Sequence, residues 1–151
     1  MRRKDKQIGD REQIDAIIRS AQVCRLAMID GTEPYLVPLS FGYDGRAIYF
    51  HSATEGRKVE ALRRNARVCF EIDTGVELIR GASSCQWGMR YASVIGYGDA
   101  VFISDAEAKR RALALIMAHY GEGLHSFPEK ELARTLVFRV DIEQLAAKRS
   151  G

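Results

Sequence analysis

No run of 18 apolar residues occurs in this chain, so the sequence offers no transmembrane helix. The opening MRRKDK lacks the apolar stretch of a secretory signal, and the expected setting is soluble and cytoplasmic, with no membrane partner. Cysteine is scarce. Cys24, Cys69 and Cys85 make an odd count without a CxxC pair, which reads as reduced thiols, with Cys24 and Cys69 in the core on strands. There is no low-complexity tract and no internal repeat. Charge of one sign is not concentrated either: the net charge is +3, and much of the excess lies in MRRKDK. Residues 1–9 read as a flexible tail. Without a basic stripe carrying exposed aromatics, a nucleic-acid partner is not expected. Several catalytic signatures are also missing. No GxxxxGK[ST] loop, GxSxG elbow or HExxH pair exists, so triphosphate hydrolysis, serine-hydrolase chemistry and a metal site have no support. GYG at 96–98 is not GxGxxG and lies within a strand pattern.

What is present suits one domain over residues 1–151, with 46% hydrophobic and 28% charged residues. DREQIDAIIRS (10–20) predicts a helix, with Asp10 and Gln13 at capping-box spacing and Ile14, Ile17, Ile18 and Ala21 on one face. The period then shortens. VCRLAMID (23–30), YLVPLSFGY (35–43) and AIYFHS (47–52) read as three antiparallel strands joined by Asp30-Gly31 and Asp44-Gly45 turns. A short helix over Thr54–Arg64 follows, capped by Ser52 or Thr54, with Val59 and Leu62 inward and Asn65 at its end. VCFEID (68–73) is a fourth strand, and residues 75–103 hold two more around a glycine- and serine-rich middle. Ser104 and Glu107 have capping-box spacing before a long helix that ends at Tyr120-Gly121. TLVFRVDI (135–142) is a last strand. Hairpin-linked strands without βαβ alternation predict an α+β, mainly β fold: six to seven antiparallel strands in a closed or partly closed β-barrel, with three helices over its ends.

The chemistry concentrates in FHSATEGRK (50–58). A helix N-terminus there presents unpaired N–H groups, Ser52 and Thr54 offer hydroxyls, and Arg57 and Lys58 match phosphate oxygens. The same residues would equally make a capped helix with two solvated cations. His51 stands at the strand end, either as a structural hydrogen-bonder or as a group facing a ligand. Pro38 removes a ladder donor, which predicts a sheet edge or a place where something else meets the backbone. Trp87 and Tyr91 would be core residues or cover a flat ligand.

PYLVPLSFGYDGRAIYFHSATEGRKVEALRRNARVCFEID, followed by RYASVIGYGDAVFI, resembles the FMN-binding split-barrel superfamily of pyridoxamine 5′-phosphate oxidase. The nearer branch is similar to the Nim-type proteins linked to 5-nitroimidazole resistance, although Ser40 stands where many of them carry asparagine. The resemblance implies a homodimer with two FMN sites at its interface. Val37, Pro38, Leu39 and Ser40 would run beside the isoalloxazine and ribityl chain. Phe50, His51 and Ser52 would line the next strand, with Arg57 and Lys58 on the phosphate. Tyr91, with Trp87 as a further candidate, would complete the site, either from the same chain or from the partner subunit. It further implies an FMN-dependent oxidoreductase acting on a small aromatic or nitro-type acceptor, with His51 catalytic or positioning. Other readings are a deazaflavin in place of FMN, and a non-catalytic flavin- or haem-binding protein with His51 as axial ligand.

Overall fold

The computed structural model describes residues 4–121, 123 and 125–151. Among them are eight strands in one antiparallel sheet and four α-helices. The strands are β1 (Gln7–Ile8), β2 (Cys24–Asp30), β3 (Glu33–Leu39), β4 (Gly42–Tyr43), β5 (Ala47–Ala53), β6 (Arg67–Ile79), β7 (Gly88–Ile103) and β8 (Thr135–Ser150). The helices are α1 (Arg11–Ser20), α2 (Arg57–Arg64), α3 (Ala106–Tyr120) and α4 (Glu129–Arg134). The sheet runs β3-β2-β6-β7-β8-β5-β4, with β1 on β8. It does not close on itself, which makes it a split barrel. No described helix is long and apolar enough to cross a membrane.

The interior is aromatic. Phe41, Phe50, Phe70 and Phe138 are fully buried, and the Phe50 and Phe138 rings stack with centroids 5.1 Å apart. α1 adds Ile14, Ile17 and Ile18 to this core. A smaller cluster outside the barrel joins Ala112, Leu113 and Ile116 of α3 to Leu132 of α4 and Val137 of β8. The last residues of α3 bind the loops around the barrel mouth. His119 Nε2 donates to the Ala21 carbonyl at 2.6 Å, and its ring lies 4.2 Å from Phe41. The Tyr120 hydroxyl accepts from the Phe41 amide and donates to the Gln22 carbonyl, both at 2.8 Å.

Several expectations change. Part of the anticipated N-terminal tail is ordered: Gln7 and Ile8 pair with Lys148 and Ala147, Ile8 is buried, and Lys6 Nζ donates to Ser150 Oγ at 2.8 Å. Residues 1–3 lie outside the described residues. The strand count rises to eight through the two-residue β1 and β4, too short to show a period. β6 runs on through residues 74–79 past a register shift, and β8 continues to Ser150. α4 is a fourth helix of only 6 residues, announced by little more than Pro128. The cap of α3 is Asp105, not Ser104, because its carboxylate accepts from the Ala108 amide at 2.8 Å. At α1, Asp10 accepts from the Glu12 amide, and Gln13 meets the Asp10 side chain rather than its backbone. Cys24 is buried, whereas Cys69 is only half-buried on the outer sheet face, opposite Tyr97.

The GYG segment owes its glycines to packing. A β-carbon at Gly96 would stand 2.1 Å from the Phe70 ring, and one at Gly98 would stand 2.0 Å from the Asp141 carbonyl oxygen.

Candidate functional site

The sheet is open at two places. Among the described residues β3 pairs only with β2, as Pro38 predicts for an edge, and β4 covers β5 only at Ile48 and Tyr49. Phe50 to Ala53 therefore has one uncovered edge. Alternation on β5 turns Phe50 into the core and His51 outward. Phe50 is sealed at 0% exposure, so only its backbone is available to a ligand. Val37 and Leu39 are half-buried against the core, while Pro38 and Ser40 are exposed. The Ser52 hydroxyl donates to the Ala53 carbonyl at 2.8 Å and caps nothing.

α2 starts at Arg57, three residues later than its polar lead-in predicts. Its N-cap is Gly56, with φ at 121°, a conformation that a β-carbon strains, and no side chain caps the helix. Neither Thr54 nor Ser52 fills the predicted role, and the first N–H groups of α2 carry no side-chain acceptor. Inward-facing Val59, Ala61 and Leu62 hold the helix on the barrel.

The two cations here differ. Arg57 Nε donates to Asp30 Oδ2 at 2.7 Å, and its guanidinium carbon lies 4.4 Å over the Tyr35 ring. Arg64 Nη1 reaches the other Asp30 oxygen at 3.2 Å. The hydrogen bond from Arg57 and the charge of Arg64 hold the Asp30 carboxyl below the usual carboxylate range. Lys58 is half-buried and has no ion pair or hydrogen bond among the described residues. Burial pushes its pKa down. His51 lies close enough to feel it: burial first, and then the Lys58 charge, lower the imidazole below its ordinary value. Neither base has an ion pair or hydrogen bond among the described residues.

His51 also lines a cavity of about 220 Å³ between β5, α3 and α4, walled by Leu113, Ile116, Met117, Phe127 and Leu132 together with Glu131 and Thr135. Trp87 and Tyr91 lie elsewhere. Tyr91 is opposite Ser150, while Ile103 and His51 are both opposite Val137. Some 40 Å of β7 at about 3.3 Å per residue separates the two ends. Trp87 Nε1 donates to the Gly81 carbonyl at 3.1 Å, and Lys148 Nζ is 5.1 Å from the Tyr91 ring. One chain therefore brings together β3, His51, Arg57 and Lys58, but not the two aromatics. Asp30, Tyr35 and the α3–α4 wall escaped the sequence reading. Asp30 looked like a turn residue only, and its partnership with Arg57 exists only after folding.

Comparison with known proteins follows the same outline. A candidate 5-nitroimidazole antibiotic resistance protein from Bacteroides thetaiotaomicron is 35% identical, with TM-score 0.87 over 95% of this chain and 86% of that one. The FAD and heme binding protein from Mycobacterium smegmatis is 26% identical, with TM-score 0.88 over 96% of this chain and 73% of that one. An uncharacterized protein of Rhizobium meliloti (strain 1021) is 28% identical over 80 residues, 53% of this chain, and the match spans about half of that relative, 48%. The profile of the pyridoxamine 5′-phosphate oxidase family matches residues 10–149, nearly the whole chain. The expected resemblance holds: this chain belongs to the pyridoxamine 5′-phosphate oxidase family.

Proposed function

We propose that the protein is an FMN-binding oxidoreductase whose phosphate site is the start of α2. The observation that carries this reading is the unpaired Lys58 beside His51 at an uncapped helix N-terminus. A half-buried ammonium next to a second base is destabilised in its charged form until an anion arrives. A phosphate also meets the Nη groups of Arg57, which have no partner among the described residues. From Tyr35, beside Arg57, β3 runs roughly 17 Å to Ser40, about the length of an extended flavin mononucleotide. The donor set thus fits a phosphate-tailed flavin. When bound, FMN would supply reversible electron transfer.

The chain's own residues bind and orient. Val37 to Ser40 offer an open strand edge to the ring system, and Ser52 and the backbone of Phe50 lie on the strand that leads to the phosphate end. His51, whose neutral form burial and the Lys58 charge favour before an anion binds, serves as a hydrogen-bonding group that orients the flavin. The acceptor in this reading is a small aromatic or nitro compound, in keeping with the Bacteroides relative.

A second copy completes the site. Ile29, Leu36, Ile95 and Tyr97 are exposed on one outer face of the sheet. Residues 75–90 project as a two-stranded arm with no third strand among the described residues, carrying exposed Val76, Leu78, Trp87 and Met89. Such an arm is marginal alone, and a homodimer both covers it and brings the aromatic residues of one protomer to its partner's site. Sedimentation at micromolar concentration is expected to give the dimer mass; a monomer retaining flavin at full occupancy contradicts this.

Haem on His51 is the competing reading, since His51 borders an apolar cavity. At about 220 Å³, that cavity falls below the roughly 300–1,000 Å³ of small-molecule sites and is small for a haem. The absorption spectrum of the purified protein separates the two. Flavin bands support the proposal, and a Soret band refutes it.

A further inference from the structure

Arg57 does not stand free at the start of α2. Its Nε is committed to Asp30 Oδ2, and its plane lies over Tyr35. The second Asp30 oxygen takes Arg64, two helical turns along the same face, so one aspartate ties α2 to the β2–β3 turn. The Asp30 side chain is 16% exposed, against 55% for Arg57 and 57% for Arg64. Held through Nε, with its Cζ over the ring, the guanidinium leaves the edge of its two terminal nitrogens without a partner among the described residues. That edge is the fork that meets phosphate oxygens in pairs.

We infer that Asp30 is a positioning residue for anion binding, which with Tyr35 aims the Arg57 fork at the flavin phosphate. The inference rests on the flavin reading above. The Asp30 carboxylate acts in two opposing ways: it repels an incoming phosphate, and it removes the rotational freedom that an exposed arginine would lose on binding. Lys58 bears on that balance, because its charge is uncompensated and supplies the attraction that Asp30 subtracts from Arg57. Arg57 then contributes direction more than charge. A residue that only pinned α2 would disturb Lys58 and the first N–H groups as well, so its loss would add to that of Arg57; a residue that acts by aiming Arg57 adds nothing once Arg57 is gone.

FMN and riboflavin differ only in that phosphate, so their affinity ratio isolates it. Both are titrated into the parent protein, Arg57→Ala, Asp30→Ala, Asp30→Asn and the Asp30→Ala/Arg57→Ala pair, with folding checked by circular dichroism. Arg57→Ala is expected to cut the preference for FMN by about tenfold or more. Asp30→Ala should cut it nearly as far, the pair no further, and Asp30→Asn, which keeps an oxygen for Nε, should retain most of it. An unchanged or higher preference in Asp30→Ala, with Arg57→Ala still impaired, overturns this inference alone. A parent without preference for FMN over riboflavin overturns the assignment of the phosphate to the start of α2, on which the inference rests. Should Asp30→Ala not fold, Tyr35→Leu carries the same expectation, and an unchanged preference there is equally decisive.

Discussion

Replacing Tyr120 by phenylalanine removes one oxygen and releases two backbone groups on different loops. The Phe41 amide loses its acceptor at 2.8 Å, and the Gln22 carbonyl loses its donor at 2.8 Å. These losses are unequal. Gln22 is exposed and rehydrates, which costs about 0.5 kcal/mol, whereas the Phe41 amide stands beside a fully buried ring. An unsatisfied amide costs about 1–3 kcal/mol, so the sum is about 2 kcal/mol. The edge contact between His119 and residue 120 needs no hydroxyl and survives. For a domain of this size each kcal/mol lowers Tm by about 2–4 °C, which predicts a fall of about 4–8 °C in a thermal melt. Phe41 follows Ser40, so amide exchange at the end of β3 should quicken in the same variant. A Tm within about 1 °C of the parent would refute the claim that α3 latches the barrel mouth.

Four further outcomes follow from the geometry. In an NMR titration, His51 should protonate below the ordinary histidine range, and Lys58→Met should move it upward; no movement would remove Lys58 from its surroundings. Because the folded state binds this proton less readily than the unfolded chain, the His51 contribution to stability is present above pH ~6.5 and is lost as pH falls through its depressed folded value. Gly98→Ala would set a β-carbon 2.0 Å from the backbone oxygen of Asp141, which has no flexible end to move, and should cost about 2 kcal/mol or more. A parental urea midpoint for that variant would contradict the close approach of β7 and β8. His51→Ala should weaken FMN binding while turnover per bound flavin changes little; the reverse pattern would make His51 a proton donor.

Much of the barrel was legible because its strands alternate and its hairpins carry Asp-Gly turns. Ile14, Ile17 and Ile18 are buried where their spacing puts them, and Pro38 is on an edge. Errors gathered where several polar residues compete for one role. Ser104 and Asp105 both suit the cap of α3, and only the backbone decides between them. At α2, Thr54 and Ser52 look like caps, but the left-handed backbone of Gly56 delays the helix until Arg57. The ordered N-terminus was hidden because its partner, residues 143–150, carries no clear alternation. The site was legible in its cations and its strand edge. Its second layer was not, since Asp30 meets Arg57 across 27 residues and Tyr35 meets it through a ring face.

The central claim is that the start of α2 holds the phosphate of a flavin, and fluorescence titration of FMN into the parent and the Arg57→Ala/Lys58→Ala variant tests it most directly. The account predicts saturable binding by the parent and at least a ten- to hundredfold loss in the variant, the worth of one charge-assisted hydrogen bond. Equal affinity in the two proteins would contradict it.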